Sequence, residues 1–136
     1  MSNLAEAEAV LAKTRELCQV IVEHPEFANL RRRIDTFLAD ADAQNLFRDV
    51  SERGAELQQK QRMGLELADE EVAEFERRRE ALLEHEVARE FLDAQQAIRD
   101  ARDTIGRHLT RTFELGRLPQ AEDFQSCSCG SGCSCG

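Results

Sequence analysis

The chain has 136 residues, a third of them charged, with a formal net charge of −9 and neither Trp nor Tyr. An acidic protein repels the phosphate backbone, so direct nucleic-acid binding is not expected, and no apolar run approaches the length that spans a bilayer. The first residues, MSNLAEAEAVLAK, lack the basic and apolar stretches of a signal peptide, so the expected location is the cytoplasm.

Ala, Leu, Glu, Arg and Gln dominate, and all are strong helix formers. The prior is an all-α fold whose core is built from Leu, Ile, Val, Ala and Phe. The first predicted helix covers about residues 4–23. Leu4, Leu11 and Cys18, then Ala7, Thr14 and Ile21, recur every seven residues, with Val10 and Leu17 beside them. That is one wide apolar stripe. Cys18 falls on it and reads as a packed core thiol, a small hydrophobe.

His24-Pro25 interrupts the pattern, because proline suits a helix's first turn and pushes its predecessor out of helical geometry. The second helix therefore starts near Pro25 and runs to about Ala39, with Phe27, Leu30, Ile34 and Phe37 on its stripe. Asp40 or Asp42 can cap a third helix over about residues 43–63, with Leu46, Phe47, Val50 and Leu57 inward. Gly54 lies inside that stripe, where it either permits close helix approach or weakens the helix. After a connector at 64–68, Asp69-Glu70-Glu71 forms an acidic first turn suited to the positive end of a helix dipole. The fourth helix carries Val72, Phe75, Leu82 and Leu83, and periodicity leaves open whether it breaks near His85. Two arginine runs, Arg31 to Arg33 and Arg77 to Arg79, fall on helices rich in Asp and Glu and read as salt-bridged wet faces.

The last helix, about residues 87–115, carries Phe91, Ala94, Ile98, Ala101, Ile105, His108, Thr112 and Leu115 at spacings of three and four. This is a coiled-coil type of seam, roughly 40 Å long at about 1.5 Å per residue. That is more than a compact bundle of this size covers, so Phe91, Ile98, Ile105, His108 and Leu115 are the expected oligomer interface. Gly116 and Pro119 end the helix. The organisation is an antiparallel long-helix bundle over 1–118 and a Cys-rich tail over 119–136, disordered unless a metal orders it.

That tail holds the chemistry. Cys127, Cys129, Cys133 and Cys135 form two C-x-C pairs joined by Gly-Ser-Gly. Thiolates are soft ligands that favour zinc, copper(I) and iron–sulfur clusters, glycines let the strap fold back, and four thiolates can enclose zinc tetrahedrally or serve a cluster. The chain shows no Gly-rich phosphate loop and no confident Ser-His-Asp or Cys-His-Asn constellation, so no enzymatic activity is expected.

The chain resembles the YlbF/YmcA family of small helical bacterial regulators. The resemblance is carried by His24-Pro25-Glu26-Phe27, LADADAQNLF at 38–47, LADEEVAEFE at 67–76, FLDAQQAI at 91–98 and ELGRLP at 114–119. It implies a helical subunit that forms homo-oligomers or hetero-oligomers with paralogues and is linked to competence, sporulation and biofilm formation. It also implies work beside a YaaT-type partner that carries iron–sulfur clusters and influences messenger-RNA processing by ribonuclease Y. Cysteines near the C-terminus fit that picture, with Cys127, Cys129, Cys133 and Cys135 as candidates for an iron–sulfur cluster or zinc. The leading expectation is a non-enzymatic regulatory adaptor. The alternatives are a thiol redox protein, which would need a low-pKa thiol although the strap holds no Lys or Arg, and a structural helical scaffold with an inert tail.

Overall fold

The computed structural model describes residues 3–125. Among them the chain is all-helical with no strand. A short 3₁₀ turn, Leu4–Glu6, precedes α1 (Glu8–Glu23), α2 (Pro25–Leu38), α3 (Ala41–Arg62), α4 (Asp69–Glu84) and α5 (Glu86–Leu115), and a second 3₁₀ turn follows at Ala121–Phe124. The tail cysteines lie outside the described residues. The chain divides into two units, Met1–Ile98 and Arg99–Gly136.

Local chemistry sets the breaks in the first unit. His24 is extended between α1 and α2, and its Nδ1 accepts the Glu26 N–H at 3.1 Å, capping α2. Asp40 Oδ1 accepts the Ala43 N–H at 3.0 Å and caps α3, while the Gln44 amide donates back to the carbonyls of Phe37 and Leu38. Those carbonyls would otherwise be orphaned at the end of α2. Gly64, at φ +73°, lets the Leu65 N–H reach the Lys60 carbonyl at 2.9 Å and closes α3. At His85 the backbone leaves helical geometry with ψ 114°, so α4 and α5 are separate helices.

α3 and α4 form an antiparallel hairpin. Lys60 pairs with Glu71 near the connector, Gly54 meets Phe75 midway, and Asp49 meets Arg78 at 3.3 Å further out. A Cβ on Gly54 would lie 3.3 Å from the Phe75 ring, so this glycine marks the close helix approach. Asp49 also receives Arg53, and Glu74 receives Arg77 and Arg78. With Arg79–Glu76 the run Arg77 to Arg79 is salt-bridged throughout, as its neighbouring carboxylates suggest, while in the first run Arg31 pairs with Asp35 and Arg32 donates to Asn29 Oδ1.

The core is small. Phe37, Ala43, Leu82, Ala88 and Phe91 are buried together, with Ile34, Leu46, Phe47 and Val50 packed around them. Its centre is aromatic: Phe37 stacks on Phe91, and Phe47 stands edge-on to both. Ala43 and Ala88 are fully buried, which is how the helices approach closely enough for the rings to meet.

α1 departs from expectation. It has no buried residue, and Cys18 is exposed rather than packed. The stripe is as apolar as its periodicity indicates, but among the described residues it is partly covered only at its two ends, with Ala7 and Ile21 half-buried.

Candidate functional site

The second unit carries the last turns of α5 and the segment that leads to the cysteine strap. Beyond Ile98 the helix loses its cover: Ile105 and Leu115 are half-buried, His108 is exposed, and Leu109 and Phe113 are 58% and 73% exposed. Leu109 and Phe113 follow Ile105 at steps of four, so one edge of the seam is a row of large apolar side chains facing outward. The spacing that marked the seam also contained this signal, but a strict heptad reading passes over it.

Gly116, at φ +69°, ends α5, and the chain then folds back on it. Two guanidinium groups hold the return. Arg111 donates from Nε and Nη2 to the Asp123 carbonyl at 3.0 and 2.9 Å. Arg117 donates from Nη1 and Nη2 to the two Asp123 carboxylate oxygens at 2.9 and 3.1 Å, a bidentate match of planar fork to carboxylate. The Gln120 N–H adds a third bond to the same carboxylate at 2.6 Å. Arg117 first and the Gln120 N–H second hold the Asp123 carboxyl down to about 2. One residue on, the Phe124 ring lies against His108, centroids 4.3 Å apart, and His108 Nδ1 is 2.9 Å from the Thr104 carbonyl oxygen. Residues 119–125, which composition groups with the tail, therefore form a hook. Arg107, Thr110, Arg111, Asp123, Phe124 and Gln125 line a shallow depression of about 300 Å³ beside it.

The sequence-derived candidates thus separate. Phe91 belongs to the buried core of the first unit, stacked on Phe37, and its face is spent on its own chain. Ile105, His108 and Leu115 line the second unit's part of α5. Cys127, Cys129, Cys133 and Cys135 lie outside the described residues. Among the described residues no group of three or more His, Cys, Asp or Glu side chains is placed to hold a metal ion, and the acidic turn of α4 is engaged otherwise, with Glu71 paired to Lys60 and reaching the Ala68 N–H. No described helix is long and apolar enough to cross a membrane.

Among the described residues the protein is small and all-helical, with an exposed apolar row along the end of α5 and a C-terminal segment anchored on that helix. The family model described as "Control of competence regulator ComK, YlbF/YmcA" matches residues 10–113, and the chain belongs to that family, which is linked to competence regulation. Curated relatives carry the name UPF0342 protein. One from Alkalihalophilus pseudofirmus is 28% identical over 105 residues, covering 77% of this chain and 89% of its own. Another from Shouchella clausii is 28% identical over 115 residues, covering 81% and 95%. A third, from Oceanobacillus iheyensis, is 24% identical over 96 residues, covering 71% and 82%. No solved structure matches the chain.

Proposed function

We propose that this protein is a non-enzymatic regulatory adaptor of the YlbF/YmcA type, acting through homo- or hetero-oligomers in the cytoplasm in control of competence and allied programmes. By its resemblance, those programmes include sporulation, biofilm formation and messenger-RNA processing with YaaT-type partners and ribonuclease Y. One observation carries the reading. Ile105, Leu109 and Phe113 continue an apolar row along α5, and the last two are more than half exposed in a chain with net charge −9. Such a row is unfavourable in water and gains by covering. The hook at Asp123 supports the second half of the reading, since it fixes the point from which the strap departs. We assign Cys127, Cys129, Cys133 and Cys135 as ligands of an iron–sulfur cluster or zinc, on the softness and number of their thiolates.

Two measurements test it. Anaerobic purification of the full chain, followed by metal analysis and ultraviolet–visible spectra, should find iron or zinc that is lost when the four tail cysteines become serine. A native chain retaining neither metal ends the metal assignment, and thiol titration against potential then decides for or against a redox protein. Light scattering of Leu109→Asp/Phe113→Asp should give a lower mass than the native chain. Both positions are exposed, so the helix itself tolerates the change, and an unchanged mass removes the α5 row from the subunit contact.

A further inference from the structure

The stripe on α1 is a second uncovered surface, separate from the α5 seam, and its register specifies what covers it. None of the sixteen residues of α1 is buried, and Val10, Leu11, Leu17 and Val20 are each more than a third exposed. Leu11 and Cys18 occupy one core position of a heptad, with Thr14 and Ile21 on the other, and Ala7, the residue that caps α1, continues the second row by one heptad. Glu8 and Arg15 lie along one edge of this stripe, seven residues apart, and Val10 and Leu17 lie along the opposite edge.

We propose that α1 pairs antiparallel with α1 of a second copy of this chain, centred between Leu11 and Thr14. This register sets Leu11 on the partner's Thr14 and Cys18 on the partner's Ala7, so at the centre of the pair each side chain meets a smaller one, while Ile21 falls towards the partner's Leu4 at the ends. In an antiparallel pair like edges face each other. Glu8 then stands across from the partner's Arg15, and Arg15 across from the partner's Glu8, while Val10 meets the partner's Leu17. Two opposite-charge pairs and two apolar pairs arise from one surface under a two-fold axis, the self-complementarity that an isologous interface requires. Within the described residues neither Glu8 nor Arg15 is committed to an ion pair. A parallel pair is disfavoured by the same residues. It would set Ala7 on Ala7 and Thr14 on Thr14, leaving gaps, and would bring no opposite charges together, because its facing edges pair Arg15 with Val10 or Leu17.

The pairing is independent of the α5 seam, and its test separates the two. The full chain is used with Cys127, Cys129, Cys133 and Cys135 changed to serine, so that Cys18 is its one thiol. Arg15→Glu puts carboxylates opposite each other in both pairs and should weaken association on the order of tenfold, whereas Glu8→Arg/Arg15→Glu restores the opposite charges and the native mass in light scattering. Ala7→Cys gives each helix a second thiol. Within one helix that thiol is about 16 Å from Cys18 along the axis, too far to bridge, but it faces the partner's Cys18, so mild oxidation should yield a covalent dimer. The chain that keeps Ala7 should stay uncrosslinked. Unchanged mass for Arg15→Glu, failure of the double reversal to restore it, or disulfide-linked dimers through Cys18 alone would each overturn the proposal. The second result would assign the stripe to a different partner and the third to a parallel pair. Leu109→Asp/Phe113→Asp disturbs only the α5 seam and leaves the Ala7→Cys crosslink intact.

Discussion

The rings of Phe37 and Phe91 lie 7° from parallel with their centroids 3.7 Å apart, and they join α2 to the start of α5. Both are less than a tenth exposed. In a core whose other buried members are Ala43, Leu82 and Ala88, this stack and the edge-on Phe47 supply the aromatic bulk.

Phe91→Ala should therefore act as a core deletion, not as an interface change. The loss is about 3–5 kcal/mol, the transfer of the ring plus the cavity it leaves against Phe37 and Phe47. Urea unfolding followed by circular dichroism measures it, since the chain has no Trp or Tyr to report by fluorescence. Phe91→Leu should cost about half as much. A Phe91→Ala chain with native stability but reduced mass would place Phe91 in the subunit contact after all.

Much of this architecture is legible before folding, and the reasons are local. His24-Pro25, Asp40 and Gly116 act through the backbone groups of their own turns, so each helix boundary they set can be read from a few neighbouring residues. The break at His85 carries no proline or glycine, so periodicity alone does not place it. Packing is harder to read. Amphipathic spacing says that α1 and α5 each own an apolar face, but not what meets it: Phe91 is spent on the chain's own core, Phe113 is left outside, and Cys18 is exposed. The hook escaped for a related reason. Arg111 meets Asp123 twelve residues away across the Gly116 turn, and no periodic pattern encodes such a pairing.

Gly54 offers a steric test of the α3–α4 hairpin. An added methyl would touch the Phe75 ring edge at 3.3 Å, asking for a small ring displacement, while alanine favours the helix by about 1 kcal/mol over glycine. These effects oppose, so Gly54→Ala should shift the urea midpoint little. Gly54→Leu has no such compensation and should cost about 1–3 kcal/mol through overpacking. Equal tolerance of leucine would mean that the two helices are not held at this spacing.

Changing the four tail cysteines to serine should separate ligation from folding. Among the described residues the buried core is drawn from positions 30–94, so helical content and urea midpoint should match the native chain while any iron or zinc held by the strap is lost. A chelator applied to the native chain should do the same. If either treatment lowers the midpoint, the metal is supporting the helical body as well as the strap.

Acid should open the hook before it unfolds the helices around the Phe37–Phe91 stack. Asp123 keeps its charge down to about 2 in the folded chain because Arg117 and the Gln120 N–H hold the carboxylate, against an ordinary value of 3.8. Its folded value is depressed, so its contribution is fully present above about pH 4 and fades as the pH falls towards 2. The core stack contains no ionisable group, although the acid-sensitive Glu74 ion pairs on α4 lose charge over a similar range, Glu74 also being held to about 2 by Arg77 and then Arg78. A local probe is therefore needed: hydrogen exchange of the amides at 120–125, or the nuclear magnetic resonance signals of the Phe124 ring against His108. Asp123→Asn keeps the shape and removes the charge, so it should raise exchange at 120–125 already at neutral pH and abolish the acid-dependent step there, with the core amides unmoved. Retained protection at 120–125 in that variant would show that the Arg111 bonds to the Asp123 carbonyl and the Phe124–His108 contact hold the hook without the carboxylate.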